Sequence, residues 1–184
     1  MVSGPSGAGK SSVVAGLAER LPFHFSVSMT TRAARPGEID GEDYWFVSPE
    51  QFGEARAAGE LLEWAEYSGH LYGTPRSEVA GRLAAGEDIL LDIELRGARQ
   101  VKAAYPEAVF IFIAPPSLEV LEARLRGRGD TDLEQVARRL AVARDQMAEA
   151  EAWFDHIVVN DDLERAIAEV AGILTAPTPP GCPS

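Results

Sequence analysis

The sequence predicts an α/β fold of three layers, with a central parallel sheet covered by helices on both faces. Short apolar runs of strand length carry that reading: ILLDI (Ile89 to Ile93), VFIFI (Val109 to Ile113) and HIVV (His156 to Val159). Segments with apolar residues at helical spacing alternate with these runs, as in parallel sheets connected by helices. Residues 29–75 break the rhythm with glycines, aromatics and turn signals such as RPGEIDGEDY, and read as a mixed α/β insert.

At the amino end, G-P-S-G-A-G-K-S (Gly4, Pro5, Ser6, Gly7, Ala8, Gly9, Lys10, Ser11) satisfies G-x-x-x-x-G-K-[ST] without a mismatch. Glycines let the backbone curl so that several N–H groups converge on phosphate oxygens, and a following helix adds the positive end of its dipole. Lys10 would neutralise the β- and γ-phosphates, and the Ser11 hydroxyl would hold magnesium. Val13, Leu17 and Leu21 place the apolar face of a helix from Ser11 to Leu21, directly after the loop. A buried strand should lead into such a loop. Only Met1, Val2 and Ser3 precede it, fewer than the usual ~5 residues, so the natural chain is expected to begin upstream.

Within the insert, YWFV and LLEWAEY read as short strands. TTRAARPGE (Thr30 to Glu38) sets Arg32 and Arg35 close together in a chain of formal net charge -12. Either they are a solvated surface pair or they serve a local anion. At the end of the ILLDI run, Asp92 and Glu94 fall where a parallel sheet presents its ligand crevice. GRGDTD (Gly127 to Asp132) is a glycine-spaced polar loop, either mobile or an ordinary connector. Val136, Leu140, Ala143 and Met147 continue a helical face, as do Leu163, Ile167, Val170 and Leu174 after HIVV. The terminal TAPTPPGCPS carries four prolines, which preclude a continuing helix, and is expected to be disordered.

Composition narrows the function. A chain of 184 residues, 46% hydrophobic, can bury one substantial core with a small insert. The acidic balance and the absence of a basic run disfavour binding along a nucleic-acid backbone, which needs many Lys and Arg contacts. No apolar run approaches the ~20 residues of a membrane span, and the amino terminus lacks a charged and then apolar stretch, so no signal region is expected. Cys182 is the single cysteine and cannot form an internal disulfide, which fits a reducing compartment. A cytoplasmic protein acting on small molecules is expected.

Six segments in order, SGPSGAGKSS, FSVSMTTRAARPGEIDGEDYWFV, GELLEWAEYSGHLYGTP, ILLDIELRGARQVK, FIAPPSLEVLEARLRGRG and VVNDD, resemble guanylate kinase over nearly the whole chain up to about Leu174. The resemblance implies transfer of the γ-phosphoryl group of ATP to GMP, and to dGMP, giving ADP and GDP, with Mg2+ as cofactor. It implies a P-loop core at 1–28, 76–126 and 144–174, a GMP-binding insert at 29–75, a short mobile lid at 127–143 and a tail at 175–184. ATP would be bound by Gly4 to Ser11 with Ser12, and its adenine contacted by Asn160 and Asp161. Arg32 and Arg35 match arginines that grip the phosphate of GMP, whose planar forks suit phosphate oxygens. Tyr44 and Tyr72 match phenolic phosphate donors. Glu38 is either an orienter of the arginines or a turn residue.

Guanine offers N1–H and N2–H donors beside the O6 acceptor, so its reader needs a carboxylate and a hydroxyl. Glu63 and Ser28 match those parts, and Thr74 a nearby hydroxyl contact. Without the resemblance, Glu63 would read as a surface carboxylate beside a core tryptophan, Trp64. Asp92 could orient a magnesium-bound water or an arginine. Glu94 stands where the family usually has Asp in contact with the guanine edge. Lys10 with Arg124, Arg128 and Arg139 matches the catalytic set that screens charge on the transferring phosphoryl. The partners implied are ATP and GMP, with no nucleic acid or membrane, and a monomer is expected. Three rivals differ in class or substrate: a guanylate-kinase-like scaffold module, which generally has a damaged P-loop; a regulatory GTPase, which needs an N-K-x-D guanine reader lacking here; and a kinase for another nucleoside monophosphate.

Overall fold

The computed structural model describes residues 1–67, 69–127 and 133–176. In chain order the elements are β1 (Val2–Ser3), α1 (Lys10–Ala18), β2 (His24–Phe25), β3 (Met29–Thr30), β4 (Trp45–Phe46), α2 (Pro49–Ala57), β5 (Leu61–Tyr67) and β6 (His70–Pro75). There follow α3 (Arg76–Ala84), β7 (Ile89–Leu90), α4 (Leu95–Ala104), β8 (Ile111–Ala114), α5 (Leu118–Arg126), α6 (Leu133–Trp153), β9 (His156–Val159) and α7 (Leu163–Thr175). The class is α/β. Among the described residues no helix is long and apolar enough to cross a membrane.

The chain forms two compact units, residues 1–22 with 109–184 and residues 23–108. In the first, β1, β8 and β9 form a parallel sheet in that order, with Val2 paired to Ile111 and Ile111 to His156. Every residue of β8 is buried, as a parallel strand with both faces covered requires. Phe110, Phe112 and Phe154 stack edge to face at 5.4–6.2 Å, closing one side. On α1, Val13 and Leu17 are buried, and a Cβ on Gly16 would come within 2.2 Å of Ile167 on α7, so the two helices pack closely. Leu121 and Leu125 of α5 share a core cluster with Val136 and Ala143 of α6.

The leading strand β1 is two residues long. A single helix, α6, runs through 133–153, so the expected junction at 143/144 lies inside it. The GRGDTD loop from Arg128 to Asp132 and the tail from Pro177 onward, Cys182 included, lie outside the described residues.

The second unit holds two sheets. β2 and β7 pair in parallel, and β4, β3, β6 and β5 form a mixed sheet in that order, antiparallel except between β3 and β4. Only Ile89 and Leu90 of the ILLDI run are in a strand. Within 29–75 the structure adds a helix, α2. Ser48 accepts from Gln51 N while Gln51 Oε1 accepts from Ser48 N, and Pro49 opens the first turn. Phe52, Ala55 and Leu61 form the small core beneath it.

Candidate active site

The first unit carries the glycine-rich loop, a candidate anion cradle. Gly4, Gly7 and Gly9 have φ of 151°, 90° and 93°. A Cβ on Gly4 would stand 2.3 Å from the Ile113 carbonyl oxygen, so the loop lies directly on β8 and only glycine fits there. Gly9 caps α1 in the left-handed conformation without a side-chain hydrogen bond, and the first helical bond of the ladder is Val13 N to Gly9 O. The N–H groups of the first turn are thereby left to a ligand, at the positive end of the helix. Lys10 Nζ donates to Gly4 O at 2.7 Å across the loop, and Ser11 is exposed beside it.

Two further residues brace this loop from below. Asn160 is buried, and its Nδ2 donates to Ala8 O at 2.8 Å. Arg124, on α5, donates to Asn160 O at 2.9 Å and to Ala8 O at 3.4 Å. Asp161 turns away, pairing on the surface with Arg165, whose hydrogen bond holds its carboxyl below the ordinary range. Arg139 is half-buried on α6 and bonds to none of the cradle residues, and Arg128 lies outside the described residues.

In the second unit, Glu38 organises the TTRAARPGE turn. Its two oxygens accept from Arg32 Nη1 and Nη2 at 2.8 and 2.9 Å, and Oε2 also accepts from Arg35 N at 2.6 Å. These bonds, Arg32's first, lower the Glu38 carboxyl to about 2, and Glu38 in turn raises Arg32 above its ordinary value. The Arg32 guanidinium lies over the Tyr44 ring at 5.3 Å and the Phe46 ring at 5.7 Å. Tyr44 and Tyr72 meet edge to face at 6.0 Å. Burial first, then the negative charge of Asp92, raises the Tyr44 phenol. The Arg35 guanidinium is exposed and forms no ion pair among the described residues, a cation open to an anionic ligand.

Glu63 and Thr74 are neighbours across β5 and β6. An irregularity in the ladder between Leu61 and Glu63 turns the carboxylate inward, so Leu61, Leu62 and Glu63 are all buried. Glu63 is 3% exposed and Trp64 37%, the reverse of a surface glutamate beside a core tryptophan. Thr74 Oγ1 donates to Glu63 Oε1 at 2.6 Å, and Ser28 Oγ lies 3.5 Å from Thr74 Oγ1. Since Thr74 has one hydroxyl hydrogen and gives it to Glu63, Ser28 is the donor in that pair. Burial pushes the Glu63 carboxyl up to about 7, the Thr74 bonds oppose this, and the charge of Glu94 adds to it. Glu94 is the N-cap residue of α4, and Asp92 is half-buried shortly before it.

Gln100 and Gly97, both on α4 and both against β5, were not singled out from the sequence. A glutamine at the next turn of a helix carries no pattern of its own. Asn160 as a brace of the loop also depends on the fold, since 152 residues separate it from Ala8. Among the described residues no group of three or more His, Cys, Asp or Glu could hold a metal ion. The single exposed hydroxyl of Ser11 fits magnesium, which dehydrates reluctantly and is held mainly by substrate phosphates and water.

A guanylate kinase family model matches residues 1–177. The chain is 54% identical over 171 residues to a guanylate kinase of Synechococcus sp. (strain CC9311), covering 92% of this chain and 90% of that protein. It is 51% identical to a guanylate kinase of Gloeobacter violaceus, covering 95% and 85%. Among solved structures, the crystal structure of guanylate kinase from Anaplasma phagocytophilum superposes with a TM-score of 0.76 at 37% identity, covering 94% of this chain and 81% of that one.

Proposed function

Since the chain belongs to the guanylate kinase family, and is therefore an ATP:GMP phosphotransferase that yields ADP and GDP, we propose the following division of labour among its residues. The loop Gly4–Ser12 takes the phosphates of ATP, with Lys10 leaving Gly4 O to neutralise the β- and γ-phosphates. Ser11 holds Mg2+, which when bound neutralises charge between those phosphates. Asn160 and Arg124 keep the loop's Ala8 carbonyl turned away from the anion, so that N–H groups line the cradle. Arg32 and Arg35, with the Tyr44 and Tyr72 hydroxyls, take the phosphate of GMP. Glu38 presents Arg32 in a fixed rotamer, which lowers the entropy lost on binding.

The attacking oxygen belongs to the GMP phosphate and is already anionic, so no general base is required. The chemistry demands in-line approach of two polyanions and screening of the charge between them. Lys10, Arg124 and Arg139, with Arg128, are the cations assigned to that screening. Glu63, Ser28 and Thr74 read the guanine base, with Asp92 and Glu94 at its edge. We also assign the enzyme to the cytoplasm as a monomer, where both nucleotides are available, and expect dGMP to be accepted.

The observation that carries the base assignment is the buried Glu63–Thr74 pair with the half-buried Ser28 hydroxyl beside it. A buried carboxylate aligned by a hydroxyl satisfies the N1–H and N2–H donors of guanine. Adenine would leave those groups unpaired, a mismatch that discriminates by about 10⁴ or more. A steady-state survey of nucleoside monophosphates with magnesium-ATP tests this, with GMP expected to exceed all others. Faster turnover of AMP or UMP would overturn the base assignment.

A further inference from the structure

The Glu63 carboxylate is wedged against the first turn of α4. A Cβ built on Gly97 would stand 1.9 Å from Glu63 Oε2 and 2.8 Å from its Cδ. No real pair of atoms tolerates the first distance. Gly97 is buried inside a helix and its backbone has no positive φ, so nothing in its conformation asks for glycine. Alanine would suit a helix better. The missing side chain is explained by the carboxylate that fills its place.

Both sides of the slot are held by hydrogen bonds. One turn beyond Gly97, Gln100 Oε1 accepts from Trp64 N at 3.2 Å, and its Nε2 donates to Trp64 O at 2.7 Å. β5 is an edge strand, so this amide pair serves as its missing neighbour and clamps α4 to the residue after Glu63. Opposite, Thr74 holds Glu63 Oε1 at 2.6 Å. The carboxylate is thus fixed between a hydroxyl and a bare helix backbone.

We propose that Gly97 is a specificity-positioning residue: the bare turn of α4 forms the slot that sets the Glu63 carboxylate where a guanine base meets it. The proposal rests on the reading of Glu63 as the base reader. The test compares Gly97→Ala, Glu63→Gln, Glu63→Asp and the double variant Gly97→Ala/Glu63→Asp. Each is measured for kcat, the KM for GMP, the KM for ATP and thermal unfolding without nucleotide.

Gly97→Ala should raise the KM for GMP by roughly tenfold or more, the loss expected for a displaced charged hydrogen-bonding group, with the KM for ATP unchanged. Glu63→Asp shortens the side chain by one methylene and should weaken GMP in the wild-type background. In the Gly97→Ala background it should instead restore part of the loss. If Gly97→Ala does not fold, recovery of folding by Glu63→Asp supports the slot, and failure of the double variant to fold overturns it. A wild-type KM for GMP in Gly97→Ala, or a loss that Glu63→Asp does not relieve, also overturns it. An unchanged KM for GMP in Glu63→Gln would overturn the base-reader reading and the proposal with it, and so separates that failure from a failure of the slot alone.

Discussion

Replacing Glu63 by Gln should make the nucleotide-free protein more stable while weakening its grip on GMP. Glutamine keeps the shape and can still accept from Thr74, but it removes a charge that is 3% exposed. The folded Glu63 holds its proton up to about 7, against 4.5 for the ordinary side chain. Between those values the folded state binds more protons than the unfolded one, so stability falls as pH rises through the window and the full cost stands above it. At about 1.4 kcal/mol per tenfold, that cost approaches ~3 kcal/mol at pH 8 and stays below ~1 kcal/mol at pH 5. Urea unfolding of both proteins at the two pH values measures the difference. Glu63→Gln should gain up to ~3 kcal/mol at pH 8 and much less at pH 5. An equal difference at both values would refute the argument that an ionised, desolvated carboxylate is being held for a ligand. The same proton links to catalysis: kcat/KM for GMP should fall in wild type below about pH 7, as the free enzyme loses its carboxylate, and this component should be absent from Glu63→Gln.

The cradle and the phosphate turn yield three more expectations. Lys10→Ala should lower kcat by ~10² or more, as loss of a charge-stabilising donor does, with circular dichroism and melting temperature close to wild type. Gly9→Ala forces a side chain into φ 93° and within 2.2 Å of Asn160 Nδ2, so the KM for ATP should rise while GMP binding measured by calorimetry stays unchanged. Arg35→Ala removes an exposed guanidinium that forms no ion pair among the described residues, so stability should hold while the KM for GMP rises by ~10-fold or more, the worth of a charge-assisted bond; unchanged GMP kinetics would remove Arg35 from the phosphate site.

The P-loop was legible because its chemistry is local. Eight consecutive residues supply glycines, lysine and hydroxyl, and the structure adds only the surfaces against which they lie, such as the Ile113 carbonyl 2.3 Å from where a Gly4 Cβ would be. Strand β8 was legible for a similar reason, since burial on both faces leaves a continuous apolar run, whereas in β9 only Val158 is buried. Glu38 stood open between turn residue and orienter, and its carboxylate both forks onto Arg32 and accepts from Arg35 N, contacts that serve either reading. The insert reads as mixed α/β without a stated helix position, and Ser48-Pro49-Glu50-Gln51 is the capping-box signal that marks where α2 begins.

By itself, then, the sequence determined the α/β class, the glycine-rich loop before α1 and the family, because each is written in short-range spacing or in ordered matches along the chain. Tertiary structure alone decided that Glu63 faces inward and Trp64 outward, through one irregularity in the β5–β6 ladder that shifts the side-chain alternation. It also decided that Asn160 and Arg124 brace the Ala8 carbonyl and that Gly97 and Gln100 close on β5, contacts spanning 34 to 152 residues. No local pattern encodes these pairs, since partners so distant in the chain meet only when burial of the core brings their elements together.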